Sequence, residues 1–184
     1  MKKQDILENR VKYAYLSLGS NLGNKFKNIN DAKYLLTIFG IKIKKYSRSY
    51  ETASWPNKNF PKYINIAIKI STYMKVTELF RVIKSIEKIL GRKKGQKNSP
   101  RTCDIDILDY DHKVIKKKVD NLELIVPHPR LHSRNFVLIP LFDIDKNWKH
   151  PKLKYNITKL LSNIDPNDLR SIKLLWFSGI NYVC

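Results

Sequence analysis

A chain of 184 residues with 42% hydrophobic content has enough apolar surface for one core, so a disulfide scaffold is unnecessary. The two cysteines, Cys103 and Cys184, lack a metal-type spacing; there is no run of about 18 apolar residues and no signal-peptide stretch after Met1. A soluble, unprocessed protein of the reducing cytoplasm is expected. Thirty-six Lys and Arg against 16 Asp and Glu give +20, which suits a polyanionic partner such as nucleic acid, a membrane surface or a nucleoside triphosphate. Lysine scattered among Asn and Ile fits a compositional bias equally well, and only Arg92-Lys93-Lys94 with Lys97, and Lys116-Lys117-Lys118, concentrate the charge locally.

Taken in order, Tyr13 to Leu18 reads as a strand ending at Gly19, followed by the turn Gly19-Ser20-Asn21-Leu22-Gly23-Asn24. Ala32, Leu35, Leu36 and Phe39 recur at helical spacing, with Asn28 or Asn30 as the N-cap and Gly40 at the C-terminal stop. A second strand is predicted from Ile41 to about Tyr50, then a loop from Glu51 to Pro61. Between Tyr63 and Ile70, the residues Ile64, Ile66, Ile68 and Ile70 alternate with Tyr63, Asn65, Ala67 and Lys69, so the isoleucines face the core. Leu79, Val82, Ile83, Ile86 and Leu90 form a helical stripe, with Thr77 as N-cap and Gly91 as terminator. The stretch from Arg92 to Pro100 lacks periodicity and reads as an exposed, mobile loop. Strand returns from Thr102 to Tyr110, with Val114-Ile115 pairing to it as a hairpin. Phe136 to Ile144 is apolar and partly helical, interrupted by Pro140. Residues after about Lys146 suggest no role.

The predicted order, strand-helix-strand-strand-helix-strand, matches an α+β, ferredoxin-like βαββαβ sandwich with C-terminal additions. No linker or repeat divides the chain, so residues 1–184 are expected to form a single domain, with a core over about 13–144 and an extension over 146–184.

Within Arg101-Thr102-Cys103-Asp104-Ile105-Asp106-Ile107, strand alternation puts both aspartates on one face. Such a pair is either two solvated acids or a site for a divalent cation, and the D-x-D spacing alone does not choose. The basic loop that leads into Arg101 tilts the choice, because Mg²⁺ uses one or two carboxylates plus phosphate oxygens while Arg and Lys neutralise the remaining phosphate charge. That combination suits phosphoryl or pyrophosphoryl transfer. No Walker A sequence occurs. Asn65 offers a donor and an acceptor to the edge of a heterocycle, or is satisfied by nearby backbone. Tyr63 either joins it or covers the sheet. His128, between Pro127 and Pro129, donates to phosphate or is a capping residue; Trp55 is a lid over a flat ligand or a patch on the core.

These segments, in order, resemble the 6-hydroxymethyl-7,8-dihydropterin pyrophosphokinases of folate biosynthesis, over roughly residues 13 to 144. The matching pieces are Tyr15-Leu16-Ser17-Leu18-Gly19-Ser20-Asn21-Leu22-Gly23; Tyr50-Glu51-Thr52; Tyr63-Ile64-Asn65; Glu87 with Gly91-Arg92, then Pro100-Arg101-Thr102-Cys103-Asp104-Ile105-Asp106; and Pro127-His128-Pro129-Arg130-Leu131 with Arg134 and Phe136. The resemblance implies transfer of the β,γ-pyrophosphoryl group of ATP to the pterin hydroxymethyl oxygen, leaving AMP. It implies two Mg²⁺ ions on Asp104 and Asp106, with Arg92 and Arg101 also catalytic. Glu87, Arg92, Lys94, Arg101, His128 and Arg134 would serve ATP, and Thr52, Trp55, Tyr63, Asn65 and Phe136 the pterin. The implied partners are these small molecules, with no membrane, no nucleic acid and a monomeric chain.

Where the family often has Arg-Trp-Gly-Pro-Arg, this chain reads Lys97-Asn98-Ser99-Pro100-Arg101, and Lys94 stands where an arginine is frequent. Lysine neutralises phosphate without the planar fork of arginine, so loop closure is expected to differ, with Trp55 supplying part of the missing stacking. Two rival readings are an RNA-binding module of the same fold and a catalytically impaired relative. The RNA reading leaves the two aspartates without a role and lacks an aromatic-rich basic strand motif.

Overall fold

The structure, a computed structural model, describes residues 10–54, 57, 59–92 and 99–175. In chain order it contains β1 (Lys12–Ser20), α1 (Lys25–Ile38), β2 (Lys42–Tyr46), β3 (Ser49–Thr52), β4 (Tyr63–Thr72), α2 (Val76–Ile89), β5 (Asp104–Tyr110), β6 (Ile115–Val119), β7 (Leu122–Val126), α3 (Asn135–Ile144), α4 (Ile157–Ser162), α5 (Pro166–Arg170) and β8 (Lys173–Leu175). The main sheet runs β5-β1-β4-β3-β8, with β2 sharing the β3 side of β4, and all its pairings are antiparallel. This is a mixed α/β architecture with five α-helices among the described residues.

Alternation along β4 decides the layers. Ile64, Ile66, Ile68 and Ile70 are all at most 3% exposed and pack with Leu16, Leu18 and the inner residues of α1 and α2, including Leu36, Leu79 and Ile83. On the opposite face Ala67 and Tyr15 meet Val137, Leu138 and Leu141 of α3, joined by Trp148, Ile157 and Leu160. The segment after Lys146 therefore contributes Trp148, Ile157 and Leu160 to a second core layer. A bulge in β5 serves the same layer: the pairing with β1 skips Leu108, so Leu108 enters that core while the neighbouring Asp109 carboxylate, 1% exposed, accepts the Trp148 Nε1–H at 2.8 Å. The far end of this face, around Gly19, Asn65 and Asp104, lies beyond that core cluster.

Several local expectations need correction. Asn24, not Asn28 or Asn30, caps α1 by accepting the Lys27 N–H at 3.1 Å, and Asn28 instead donates to Ser20 Oγ and the Leu22 carbonyl. Lys75, not Thr77, precedes α2, where the Glu78 carboxylate reaches back to the Lys75 N–H at 2.7 Å. The strand predicted over 41–50 is two strands, because Ser47 leaves the ladder: its N–H donates to the Ala67 carbonyl and its hydroxyl accepts the Ala67 N–H, both at 2.9 Å. Val114-Ile115 does not pair with β5. A turn with left-handed Asp111 and His112 turns the chain away, and β6 pairs with β7 through a second left-handed pair, Asp120 and Asn121. Pro140 sits inside α3 without ending it, forfeiting only the bond it would have donated to the Phe136 carbonyl.

One side chain joins three segments at the open end of the sheet. Asn21, 2% exposed, donates to Ser54 Oγ and the Pro61 carbonyl, each at 3.2 Å, and accepts the Arg101 N–H at 2.8 Å. Asn21→Ala is expected to cost roughly 1–3 kcal/mol in urea unfolding through the groups it leaves unpaired. Trp148→Phe, which removes the donor to buried Asp109 while keeping an aromatic ring, is expected to cost a similar ~1–3 kcal/mol by the same measurement.

Candidate functional site

Asp104 and Asp106 project from β5 on the face opposite Cys103, Ile105 and Ile107, which are buried in the helix-side core. Their carboxylates are 28% and 33% exposed, open enough to receive a ligand. In the register Asp104 lies opposite Gly19 and Asp106 opposite Ser17, while Gly19 also lies opposite Asn65 on β4. Asp104, Gly19 and Asn65 thus form one row across the sheet.

The acids differ electrically. Burial would raise Asp104, but Arg92 and Arg101 outweigh it and its pKa is lowered. Arg92 donates to one carboxylate oxygen at 2.7 Å and Arg101 to the other at 3.1 Å. Among the described residues no cation stands as close to Asp106: Arg134 Nη1 is 3.8 Å away, as is the His128 Nε2. Desolvation, reinforced by the Asp104 charge, pushes the Asp106 pKa up to about 6.

The end of α2 delivers Arg92. Gly91 adopts φ +82°, its N–H donates to the Lys88 carbonyl, and the Arg92 N–H donates to the Glu87 carbonyl, both at 3.0 Å. This is a Schellman turn, and the left-handed residue at its centre favours glycine. It folds Arg92 back over Glu87, whose carboxylate also receives its guanidinium.

His128 contributes a neutral ring. Its burial, followed by the Arg134 and Arg130 charges, lowers its pKa to about 4. Nδ1 accepts the Arg130 N–H at 3.2 Å, so the ring proton resides on Nε2, the nitrogen turned toward Asp106. Arg134 stands before the first turn of α3, its guanidinium 5.4 Å from the Phe136 ring centroid. On the other side of the row, Asn65 donates to Thr52 Oγ1 at 2.8 Å, and both residues are buried. A Cβ on Gly19 would stand 3.0 Å from Asn65 Oδ1 and 3.5 Å from the Tyr63 ring, so a bare backbone is needed here for those two side chains to keep their places.

The structure therefore gathers Glu87, Arg92, Arg101, Asp104, Asp106, His128 and Arg134 around one charged centre, with Tyr63, Asn65 and Thr52 beside it and Phe136 against Arg134. Trp55 and Lys94 lie outside the described residues, as does 93–98 of the predicted loop. Glu87 differs from its expected role of meeting the nucleotide: it is 2% exposed and its carboxylate is occupied by Lys84, Arg92 and the Ile105 N–H. Sequence reading passed over Asn21 and Gly19 as site residues, although the turn signal at Gly19-Ser20-Asn21 marks both positions.

The donor set fits Mg²⁺ shared with a polyphosphate. Two half-open carboxylates on one face are the usual protein contribution for that ion, and among the described residues no group of three or more His, Cys, Asp or Glu forms a closed metal cage. Asp104 is already neutralised by two guanidiniums, which a cation bound there would free.

Comparisons with known proteins identify the relatives of this chain. The family profile described as 7,8-dihydro-6-hydroxymethylpterin-pyrophosphokinase matches residues 15–146. The chain is 41% identical over 137 residues to a 2-amino-4-hydroxy-6-hydroxymethyldihydropteridine pyrophosphokinase of Aquifex aeolicus, covering 74% of this chain and 82% of that protein. It is 37% identical over 172 residues to a folic acid synthesis protein of Pneumocystis carinii, covering 94% of this chain but only 22% of that much longer protein. A crystal structure of Plasmodium falciparum HPPK-DHPS shares the fold at a TM-score of 0.73 and 19% identity, over 92% of this chain and 48% of that one. On the family profile and the Aquifex relative together, the chain belongs to the 7,8-dihydro-6-hydroxymethylpterin-pyrophosphokinase family.

Proposed function

We propose that the chain transfers the β,γ-pyrophosphoryl group of ATP to the hydroxymethyl oxygen of 6-hydroxymethyl-7,8-dihydropterin. The observation that carries this reading is the aspartate pair on one strand face, ringed by Arg92, Arg101, Arg134 and a neutral His128, in a chain of this family. The pterin hydroxyl oxygen forms a bond to the β-phosphorus, the bond from that phosphorus to the α,β-bridging oxygen breaks, AMP leaves, and the hydroxyl proton passes to solvent. No protein nucleophile is required.

Asp104 and Asp106 would hold two Mg²⁺ ions, which would supply charge neutralisation for the attacking and leaving oxygens. Arg92 and Arg101, freed from Asp104, clamp phosphate oxygens; Arg134 and the His128 Nε2–H donate from the opposite side. Thr52 orients Asn65 for the pterin edge, and Tyr63 and Phe136 offer aromatic faces to its ring. The antiparallel strand order with two helices on one face supports a ferredoxin-like βαββαβ core, and we read residues 1–184 as one catalytic unit. Among the described residues no helix is long and apolar enough to cross a membrane.

Incubation with Mg-ATP and the hydroxymethyl pterin is expected to yield AMP and pterin pyrophosphate in equal amounts; formation of ADP, or no AMP, overturns the reading. Asp104→Asn and Asp106→Asn should each lower kcat on the order of 10²-fold or more while the fold persists. A second expectation concerns stability without metal. Because the folded-state pKa of Asp106 lies above its ordinary value, ionisation weighs against the fold above about pH 6 and ceases to do so below about pH 4. In chelator, Asp106→Asn should therefore raise Tm relative to the unsubstituted chain at pH 8, and the gain should disappear by pH 4.

A further inference from the structure

One nitrogen of Arg92 serves two carboxylates. Nη1 donates to Glu87 and also to Asp104 at 2.7 Å, so a guanidinium links a buried acid on α2 to a half-open acid on β5. The two ends of this link are unequal. The Glu87 side chain is 3% exposed and receives Lys84 Nζ at 2.8 Å and the Ile105 N–H, also at 2.8 Å. Ile105 lies between the two aspartates on the edge of the sheet, so Glu87 ties α2 directly to the strand that carries them. Asp104, in contrast, is 28% exposed, and a metal can compete for it.

We propose that Glu87 is a positioning residue that keeps Arg92 at the pocket when a divalent cation displaces it from Asp104, so that one guanidinium first substitutes for the cation and then serves as a phosphate ligand. This rests on the reading of Asp104 as a metal ligand. The physical argument is one of asymmetry. Removing Arg92 from Glu87 strips a cation from a buried charge, which is strongly unfavourable, whereas removing it from Asp104 is compensated at once by the arriving ion. The Schellman turn restricts the arm further, because the Arg92 backbone is bonded to Glu87 of the same helix end. Arg92 therefore moves by side-chain rotation about a fixed root, over a distance suited to exchanging one oxygen ligand for another.

The test is Mn²⁺ binding to the nucleotide-free protein, followed by the electron paramagnetic resonance signal of free ion. Arg92→Gln removes the nearer of two competing guanidiniums, leaving Arg101, and should tighten Mn²⁺ binding several-fold. Glu87→Gln, which retains an acceptor for Ile105, should weaken it several-fold by leaving Arg92 wholly on Asp104. In the Arg92→Gln background, Glu87→Gln should then change Mn²⁺ affinity no further. Equal weakening in both backgrounds would mean that Glu87 acts through its charge alone and would overturn the proposal, as would weaker binding in Arg92→Gln. Should Glu87→Gln fail to fold, Arg92→Lys provides the second variant: losing the planar fork should tighten Mn²⁺ binding, and unchanged or weaker binding overturns the role. Neither ATP nor pterin enters the titration, so absent transferase activity bears on the proposed reaction alone, whereas Mn²⁺ binding indifferent to Asp104→Asn overturns both.

Discussion

Two carboxylates on the same face of one strand repel each other, and the centre of this protein is organised around that repulsion. Asp104 and Asp106 stand two residues apart on β5, where alternation forces them together. The surroundings do not treat them alike. Asp104 is paired by Arg92 and Arg101, while Asp106 is left with one guanidinium at 3.8 Å and a raised pKa. The site is thus satisfied on one side and strained on the other, an arrangement that binding of a cation relieves.

That asymmetry depends on how the sheet uses its two faces. The isoleucine face of β4 is covered by α1 and α2, giving the strands a rigid base. On the reverse, α3 and the segment after Lys146 cover one end, leaving polar side chains at the other. Asn21 then joins the end of β1 to the loop near Ser54 and to Arg101, so both flanks of the charged centre hang from one buried amide. A site built this way owes its precision to few joints, each a hydrogen bond between segments distant in sequence.

Much of this was legible in the sequence because it depends on local periodicity. The alternation of Ile64 to Ile70, the stripe Leu79 to Leu90 and the pairing of Asp104 with Asp106 on one face follow from the period of two or 3.6 alone. Features that depend on long-range partners were not. The break at Ser47 arises from bonds to Ala67, twenty residues away, and the bulge at Leu108 from the needs of Trp148. After Lys146 only Trp148 is a lone apolar residue in a polar stretch; Ile157, Leu160, Leu161 and Ile164 recur at helical spacing, a signal the sequence reading passed over. Among site residues, Glu87 was found by resemblance but its burial was not, because an acid on a helix reads as surface until its donors are known.

The short strand β2, Lys42-Ile43-Lys44-Lys45-Tyr46, gives part of the chain's large positive charge a different meaning. Among the described strands β2 pairs with β4 alone, so one side of it is an open row of backbone donors and acceptors. Such an edge is a template for a second chain, and lysines along it oppose that docking by repelling an identical edge. Three lysines, Lys42, Lys44 and Lys45, lie along this strand. The excess of lysine that first suggested a polyanionic ligand thus lies in part at the margin of the fold, while the described cations at the aspartate pair are arginines.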